Sequence, residues 1–193
     1  ASAPRIRPYG PALDSRTPRD SAAGLLHPEP GGVAGPLANH GGMSIERTLI
    51  LCKPDAVSRG LVGGIVSRIE QRGYVISAMK LMQLDGERAR KHYAEHSSKP
   101  FFADLVSFIT SGPLVAMAVE GQGVVEGCRQ LIGATNPLQA APGSIRADLA
   151  QTIGRNLVHG SDSTESAARE LDIFFEDKDF VSRRHDLERW IKE

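Results

Sequence analysis

The sequence predicts an α/β (α+β) protein in which a four-stranded antiparallel sheet is surrounded by helices. Three observations lead there. Short apolar or β-favouring runs recur four times between residues 48 and 158, amphipathic stretches of helical period separate them, and Gly, Pro or Asp punctuates the junctions. Thr48 to Cys52 (TLILC) reads as a buried strand ended by Lys53-Pro54-Asp55. Leu61 to Arg72 carries Leu61, Ile65, Val66 and Ile69 at helical spacing and stops at Gly73, a good helix terminator. Tyr74 to Leu84 is the second strand. Asp85 is placed to cap a helix running to about His96, and a further helix spans Phe101 to Thr110, ended by Ser111-Gly112-Pro113. Leu114 to Glu120 is the third strand, and Val124 to Ile132 a helix closed by Gly133. A long loop from Ala134 to Ser144, a short helix at Ile145 to Ala150 and a fourth strand at Leu157-Val158 follow. The last clear helix is Thr164 to Phe174, with Ala167, Ala168, Leu171 and Phe174 expected to face the core. The order β-α-β-α-α-β-α-β-α is compatible with a split βαβ sheet of ferredoxin-like type carrying added helices, and there is no internal repeat.

At 193 residues the chain has room for a domain near 150 residues, which buries roughly 70% of its unfolded surface, plus an extension. Net charge is zero, which removes a global basic field as a reason to bind nucleic acid or membrane. Any polyanion must be met by a local cluster of Lys and Arg. Cys52 and Cys128, the only cysteines, lie in apolar segments and read as reduced core residues rather than a disulfide, which points to a cytoplasmic protein. No apolar run reaches the roughly 20 residues of a membrane span, and none near the N-terminus makes a secretory segment.

Residues 1–42 are a different material. They hold seven of the twelve prolines and seven of the twenty glycines, with no sustained periodicity, so they bury too little apolar area to offset their ordering entropy. A disordered Pro/Gly-rich extension is expected there. Targeting and interaction roles stay open, since Arg5, Arg7, Arg16 and Arg19 are basic while Asp14, Asp20 and Glu29 dilute that charge. Met43 marks the start of the expected functional domain, 43–193.

The most informative stretch is Asn156 to Ser163, in which a short apolar strand runs into His159 and the chain turns at Gly160. Asp162 with Glu165 suggests a capping box for the next helix. A histidine at a strand end is fixed in direction, and Gly160 is expected to keep bulk away from its ring. His159 is read as a phosphate-accepting nucleophile, which an ordinary imidazole, mostly neutral near pH 7, permits. Glu170 is placed to hold its other nitrogen, the arrangement of an activated nucleophile and its orienter. The bland alternative is a histidine satisfied by a carboxylate. Lys53, Arg129, Thr135, Arg146 and Asn156, if they converge on His159, form a polyphosphate site, with Arg binding by forked hydrogen bonds and Lys as a point charge. The competing reading leaves each as a solvated surface group. His92 and His96 have a spacing that can bind metal, but a metal site is not expected. His27, His40 and His185 read as solvated.

The segments TLILCKPDAVSRGLVG, HYAEH, KPFF, SGPLVAM, LIGATNPLQAAPGSIR and GRNLVHGSDS resemble nucleoside diphosphate kinases, from about Ile45 to Phe174 and more weakly beyond. The resemblance implies ping-pong transfer of a γ-phosphoryl group from a nucleoside triphosphate, mainly ATP, to a nucleoside diphosphate through a phosphohistidine at His159. It implies that Glu170 orients the ring, that Ser161 supplies a nearby hydroxyl, and that Arg129, Thr135 and Arg146 bind phosphate. Lys53, Tyr93 and Asn156 match residues around the sugar hydroxyl and the transferred phosphate. Phe101 matches the ring on which the base stacks, with Leu105 and Ile153 completing the slot. Mg²⁺ is implied as cofactor, held mainly by the nucleotide's phosphates and water, with no protein metal site.

Departures from the family pattern are Ala56, where glycine is common, and Ala147-Asp148-Leu149 in place of a more usual Gly-Asp-Phe. The C-terminal run Glu176 to Glu193, ending near Trp190 and Ile191, matches tails that pack on a neighbouring subunit. With the loop 134–144 near a trimer contact, a homo-hexamer is expected over a tetramer. Two other classes compete: a non-catalytic nucleotide sensor, which is expected to lack His159, Glu170 or Arg129, and a nucleic-acid module, which 5% aromatic content and zero net charge disfavour.

Overall fold

Strand β1 (Ile45–Cys52) organises the molecule, because its inner residues alternate between two faces that are both buried. The structure, a computed structural model, describes residues 45–182. The expected extension at 1–42, the boundary at Met43, and His27, His40, His185, Trp190 and Ile191 lie outside the described residues.

After β1 come helices α1 (Pro54–Ser58) and α2 (Val62–Gln71), strand β2 (Val75–Gln83), and helices α3 (Gly86–His92) and α4 (Phe102–Ile109). Strand β3 (Pro113–Gln122), helices α5 (Val124–Ile132) and α6 (Ile145–Leu149), strand β4 (Val158–Gly160) and helix α7 (Thr164–Phe174) complete the order. The sheet runs β2-β3-β1-β4 with every pairing antiparallel, as the ferredoxin-like expectation required. Leu49 and Leu51 join Ala116 and Ala118 of β3 beneath α3, α4 and α7, in a cluster with Ala89, Ile109, Leu171 and Phe174. Ile50 and Cys52 join Val115, Met117 and Val119 on the opposite face, covered by Ile65 and Ile69 of α2, Val124, Cys128 and Ile132 of α5, and Ile145 of α6. Both cysteines are buried free thiols whose pKa burial pushes up to about 12.

This alternation places the key histidine. β4 pairs with β1 so that Leu51 faces His159 and Ile50 faces Gly160. Paired residues share a face, so His159 points to the side of α3 and α7, and Gly160 to the side of α5. A Cβ on Gly160 would stand 2.7 Å from Ile132 Cδ1 and 3.2 Å from Ile50 Cδ1. Ile132 would therefore have to shift for any larger residue here, and Gly160 also borders the cavity beside His159.

Other expectations shift for local reasons. The fourth strand begins at Val158 rather than Leu157 and includes His159, since pairing with β1 continues until the Ser161 N–H meets the Leu49 carbonyl at 3.2 Å. Pro54, with its preset φ, opens the short α1 where only a strand end was read. The α7 cap is Ser163, whose hydroxyl accepts the Ser166 N–H at 3.0 Å, so the Asp162 capping box does not form. Asp162 instead lines the cavity described below. Ala168 is exposed, and Glu170 takes a place on the buried stripe with Ala167, Leu171 and Phe174. Asp85 caps α3 as expected, accepting the Arg88 N–H at 2.7 Å, although α3 ends at His92 and a 3₁₀ turn, Ala94–His96, continues it. Among the described residues no helix is long and apolar enough to cross a membrane.

The ring of Tyr74 lies across two glycines: a Cβ at Gly127 would be 1.7 Å from its hydroxyl, and one at Gly121 2.5 Å from Cδ1. Gly127→Ala is expected to lower stability by about 1–3 kcal/mol in urea unfolding, although alanine is the better helix former by about 1 kcal/mol. An unchanged midpoint would contradict this packing.

Candidate active site

The site starts from a strained turn. Leu157 is fully buried and has φ +68°, the described residues' one non-glycine at positive φ. The Val158 N–H donates back to the Asn156 carbonyl at 2.7 Å, closing a three-residue turn around it. Three contacts over-determine this turn. The Lys53 N–H donates to the Leu157 carbonyl at 2.9 Å, the Leu157 N–H donates to Asp55 Oδ2 at 3.0 Å, and Arg146 reaches in from α6. Arg146 donates Nε–H to the Asn156 carbonyl at 3.3 Å, Nη1–H to Gly133 at 2.8 Å and Nη2–H to Val158 at 2.6 Å. One guanidinium thus ties the end of α5 to the approach to β4. The turn sends the Asn156 side chain one way and sets β4 in register behind it. Asn156 accepts from Lys53 Nζ through Oδ1 and donates Nδ2–H to the Thr135 carbonyl at 2.9 Å.

His159 and Glu170 face each other from β4 and α7. The His159 Nε2 lies 3.1 and 3.0 Å from the two carboxylate oxygens. A carboxylate accepts, so Nε2 carries the proton and Nδ1 keeps the lone pair. Ser161 stands behind this pair, 1% exposed; its hydroxyl donates to Glu170 Oε2 at 2.6 Å and accepts the Leu49 N–H at 3.2 Å. Burial opposes ionisation of Glu170, but the bonds from His159 and Ser161 outweigh it and hold the carboxyl below its ordinary range. Ser161 is therefore a buried support rather than a wall of the site.

The remaining expected residues line one cavity of about 740 Å³. His159, Glu170, Lys53, Tyr93, Asn156, Arg146, Arg129 and Thr135 border its deep part and flank, and Phe101, Leu105 and Ile153 its rim. Phe101 and Ile153 are 48% and 57% exposed, an open apolar slot. Lys53 is 8% exposed, and burial lowers its pKa to about 8 despite the opposing Asp55 carboxylate, with Arg146 and Arg155 adding to the fall. Burial, then Arg129, lowers Arg146 to about 10, and burial, then Glu170, raises Tyr93. Lys53, Arg129 and Arg146 give the cavity a cluster of cations that suits an anionic ligand.

Several participants escaped the sequence reading. Phe108 lies beneath Arg155 at 4.0 Å and Lys53 at 5.4 Å, stacking two cations on one ring. Asp55 holds the turn. His92 is buried beside His159 with their ring centroids 4.6 Å apart, rather than pairing with exposed His96. Its place could have been found, since Ala89, His92 and Tyr93 form an i, i+3, i+4 stripe on α3.

The family model described as nucleoside diphosphate kinase matches residues 46–180. The chain belongs to the nucleoside diphosphate kinase family. A nucleoside diphosphate kinase of Desulforamulus reducens is 53% identical over 149 residues, covering 77% of this chain and all of the relative. One from Frankia casuarinae is 62% identical over 133 residues, 69% of this chain and 97% of the relative. Among solved structures, the nucleoside diphosphate kinase of Halobacterium salinarum in complex with CDP superposes with a TM-score of 0.75 at 48% identity, covering 77% of this chain and 99% of that one.

Asp55→Ala leaves the buried Leu157 N–H without an acceptor, and is expected to destabilise the protein by about 1–3 kcal/mol. Asp55→Asn keeps an oxygen and most of that stability. Equal urea midpoints for the alanine variant and the wild type would show that Asp55 does not hold the turn.

Proposed function

We propose that this kinase moves a γ-phosphoryl group from a nucleoside triphosphate, mainly ATP, to a nucleoside diphosphate in two half-reactions through His159. The observation that carries the reading is the His159–Glu170 pair at the base of a cation-lined cavity, with the proton committed to Nε2. In the first half, the Nδ1 lone pair attacks the γ-phosphorus. A P–N bond forms as the bond from phosphorus to the β,γ-bridging oxygen breaks, and the electron pair leaves with the diphosphate. In the second half, a terminal oxygen of the acceptor diphosphate attacks the same phosphorus, and the P–N electron pair returns to Nδ1.

The protein's part is positioning and charge stabilisation. Glu170 keeps Nε2 protonated and steadies the positive character the ring gains. Lys53, Arg129 and Arg146 meet the phosphates, Thr135 adds a hydroxyl, and Asn156 directs the Lys53 ammonium. Lys53, Tyr93 and Asn156 also surround the sugar hydroxyl. Phe101 stacks the base against Leu105 and Ile153, a grip that accepts any base because every base has a π-face.

Mg²⁺ is proposed to enter with the nucleotide and to neutralise phosphate charge there. The residues suit that arrangement and not a resident cage. Among the described residues, the grouping with metal-ligand proximity is His92, His159 and Glu170, a nitrogen-rich set, whereas Mg²⁺ prefers oxygen. Glu170 is also committed to His159 and Ser161. Buried free Cys52 and Cys128 support a reducing, cytoplasmic location. A homo-oligomer, hexameric rather than tetrameric, is proposed from the C-terminal run and from Leu138, 86% exposed in the loop 134–144.

The deciding experiment is intact mass after brief exposure to ATP and Mg²⁺, then after excess GDP. One acid-labile, base-stable phosphoryl group that GDP removes is expected, and His159→Ala should abolish it. No adduct despite ATP binding would replace the relay with a nucleotide sensor.

Lys53 gives a pH signature. Its folded-state pKa is lowered to about 8, so in the free site it is charged below that pH and neutral above it. Diphosphate binding then takes up a proton above pH 8, and affinity falls by up to about tenfold per pH unit. Calorimetry in two buffers of different ionisation heat should show uptake near zero at pH 7 and approaching one proton at pH 9. A flat profile would contradict this role for the Lys53 ammonium.

A further inference from the structure

His92, the last residue of α3, has a side chain only 1% exposed. It is wedged between the rings of Tyr93, His159 and Phe174, with centroids 4.6, 4.6 and 5.4 Å away. Both of its nitrogens are buried without a hydrogen-bond partner among the described residues. An unmet buried donor is destabilising, a cost that an apolar ring does not carry. Packing alone therefore does not account for a histidine here.

Its surroundings supply the missing reason. His92 Nδ1 lies 3.9 Å from Glu170 Oε1, just beyond hydrogen-bond reach. The two oxygens of Glu170 are unequally served: Oε2 accepts from Ser161 and His159, Oε1 from His159 at 3.1 Å. The His92 and His159 rings meet edge-on at 85°. We propose that His92 is a positioning residue: its ring fixes the plane of His159, and its Nδ1–H is a reserve donor that closes on Glu170 Oε1 when His159 carries the phosphoryl group.

The proposal rests on the phosphohistidine reading above. Direction of attack is the direction of the Nδ1 lone pair, which lies in the ring plane. The Nε2–H bond to Glu170 pins one end of the ring, and a perpendicular neighbour limits its rotation. As the ring gains positive character it draws on the carboxylate. A second donor spreads that negative charge and competes with His159 for Glu170. The donor must not titrate while this happens. The charged or titratable groups around His92 are His159 on β4, Glu170 and Arg169 on α7, and His96 on the following turn, with Tyr93 adjacent on its own element. Burial first, then His159, lowers its pKa to about 3, against the pull of Glu170, so it stays a neutral imidazole.

The test is the rate of His159 phosphorylation by ATP and Mg²⁺ against pH, in the full chain. His92→Phe keeps the ring and removes the donor. It should phosphorylate about tenfold more slowly and show an acid limb displaced upward by roughly half a pH unit or more. His92→Asn places an amide N–H where Nδ1–H stood and should return the limb towards its wild-type position. An unchanged rate and limb in His92→Phe, or a shift in His92→Asn equal to it, overturns the proposal. Independently of any variant, ¹⁵N spectra of the wild type should show His92 as the neutral Nδ1–H tautomer from about pH 5 to 8. An Nε2–H tautomer, or titration near the ordinary histidine value of about 6.5, equally overturns it. Phosphohistidine formation by the wild type, read in the same assay, reports separately on the proposed relay.

Discussion

A buried carboxylate is costly, and the architecture around Glu170 exists to make one tolerable and useful. It sits on the core-facing stripe of α7, where an apolar residue would pack more cheaply. Its charge is balanced by a chain that begins in the sheet: the Leu49 amide bonds to the Ser161 hydroxyl, that hydroxyl to Glu170, and Glu170 to His159. The backbone of β1 therefore orients the imidazole through two intervening side chains. Because β4 is registered on β1, the same strand fixes both the histidine and the group that holds it. A one-residue slip would turn His159 towards α5 and away from its carboxylate.

The second constraint is the turn at Leu157. A β-strand that began in ordinary extended backbone would carry Asn156 on past the cavity. The left-handed residue folds Asn156 back towards Lys53 and Thr135. Strain of this kind persists where surrounding contacts over-determine it, and here a carboxylate, a backbone amide and a guanidinium all do. Arg146 shows why a single residue type is needed. Its flat fork reaches three carbonyls on two segments, which the point charge of a lysine does not span.

Much of this was legible in the residues. The apolar run TLILC, the helical periods and the glycine stops pointed to the sheet and its main helices, with Val124–Ile132 and Thr164–Phe174 recovered to the residue. The polar cluster was legible through its motifs, and all of its members but Ser161 border one cavity. What escaped depends on three-dimensional register. Nothing local distinguishes Asp162 from Ser163 as a cap, since both oxygens suit the role and the path of β4 decides. The close approach of Gly160 to Ile132 joins residues distant in sequence and brought near by the sheet. His92 was hidden because a histidine four residues before another suggests a surface pair, whereas its burial follows from the stripe it shares with Ala89.

The cavity joins two mechanically different parts. Its floor hangs from the central strand and is buried, while its mouth is formed by half-exposed side chains on short helices and loops. In the proposed relay a donor and an acceptor nucleotide use the same doorway in succession, the first departing before the second arrives. An open collar over a buried anvil suits that traffic: successive visitors pass one rim and meet the same struck atom.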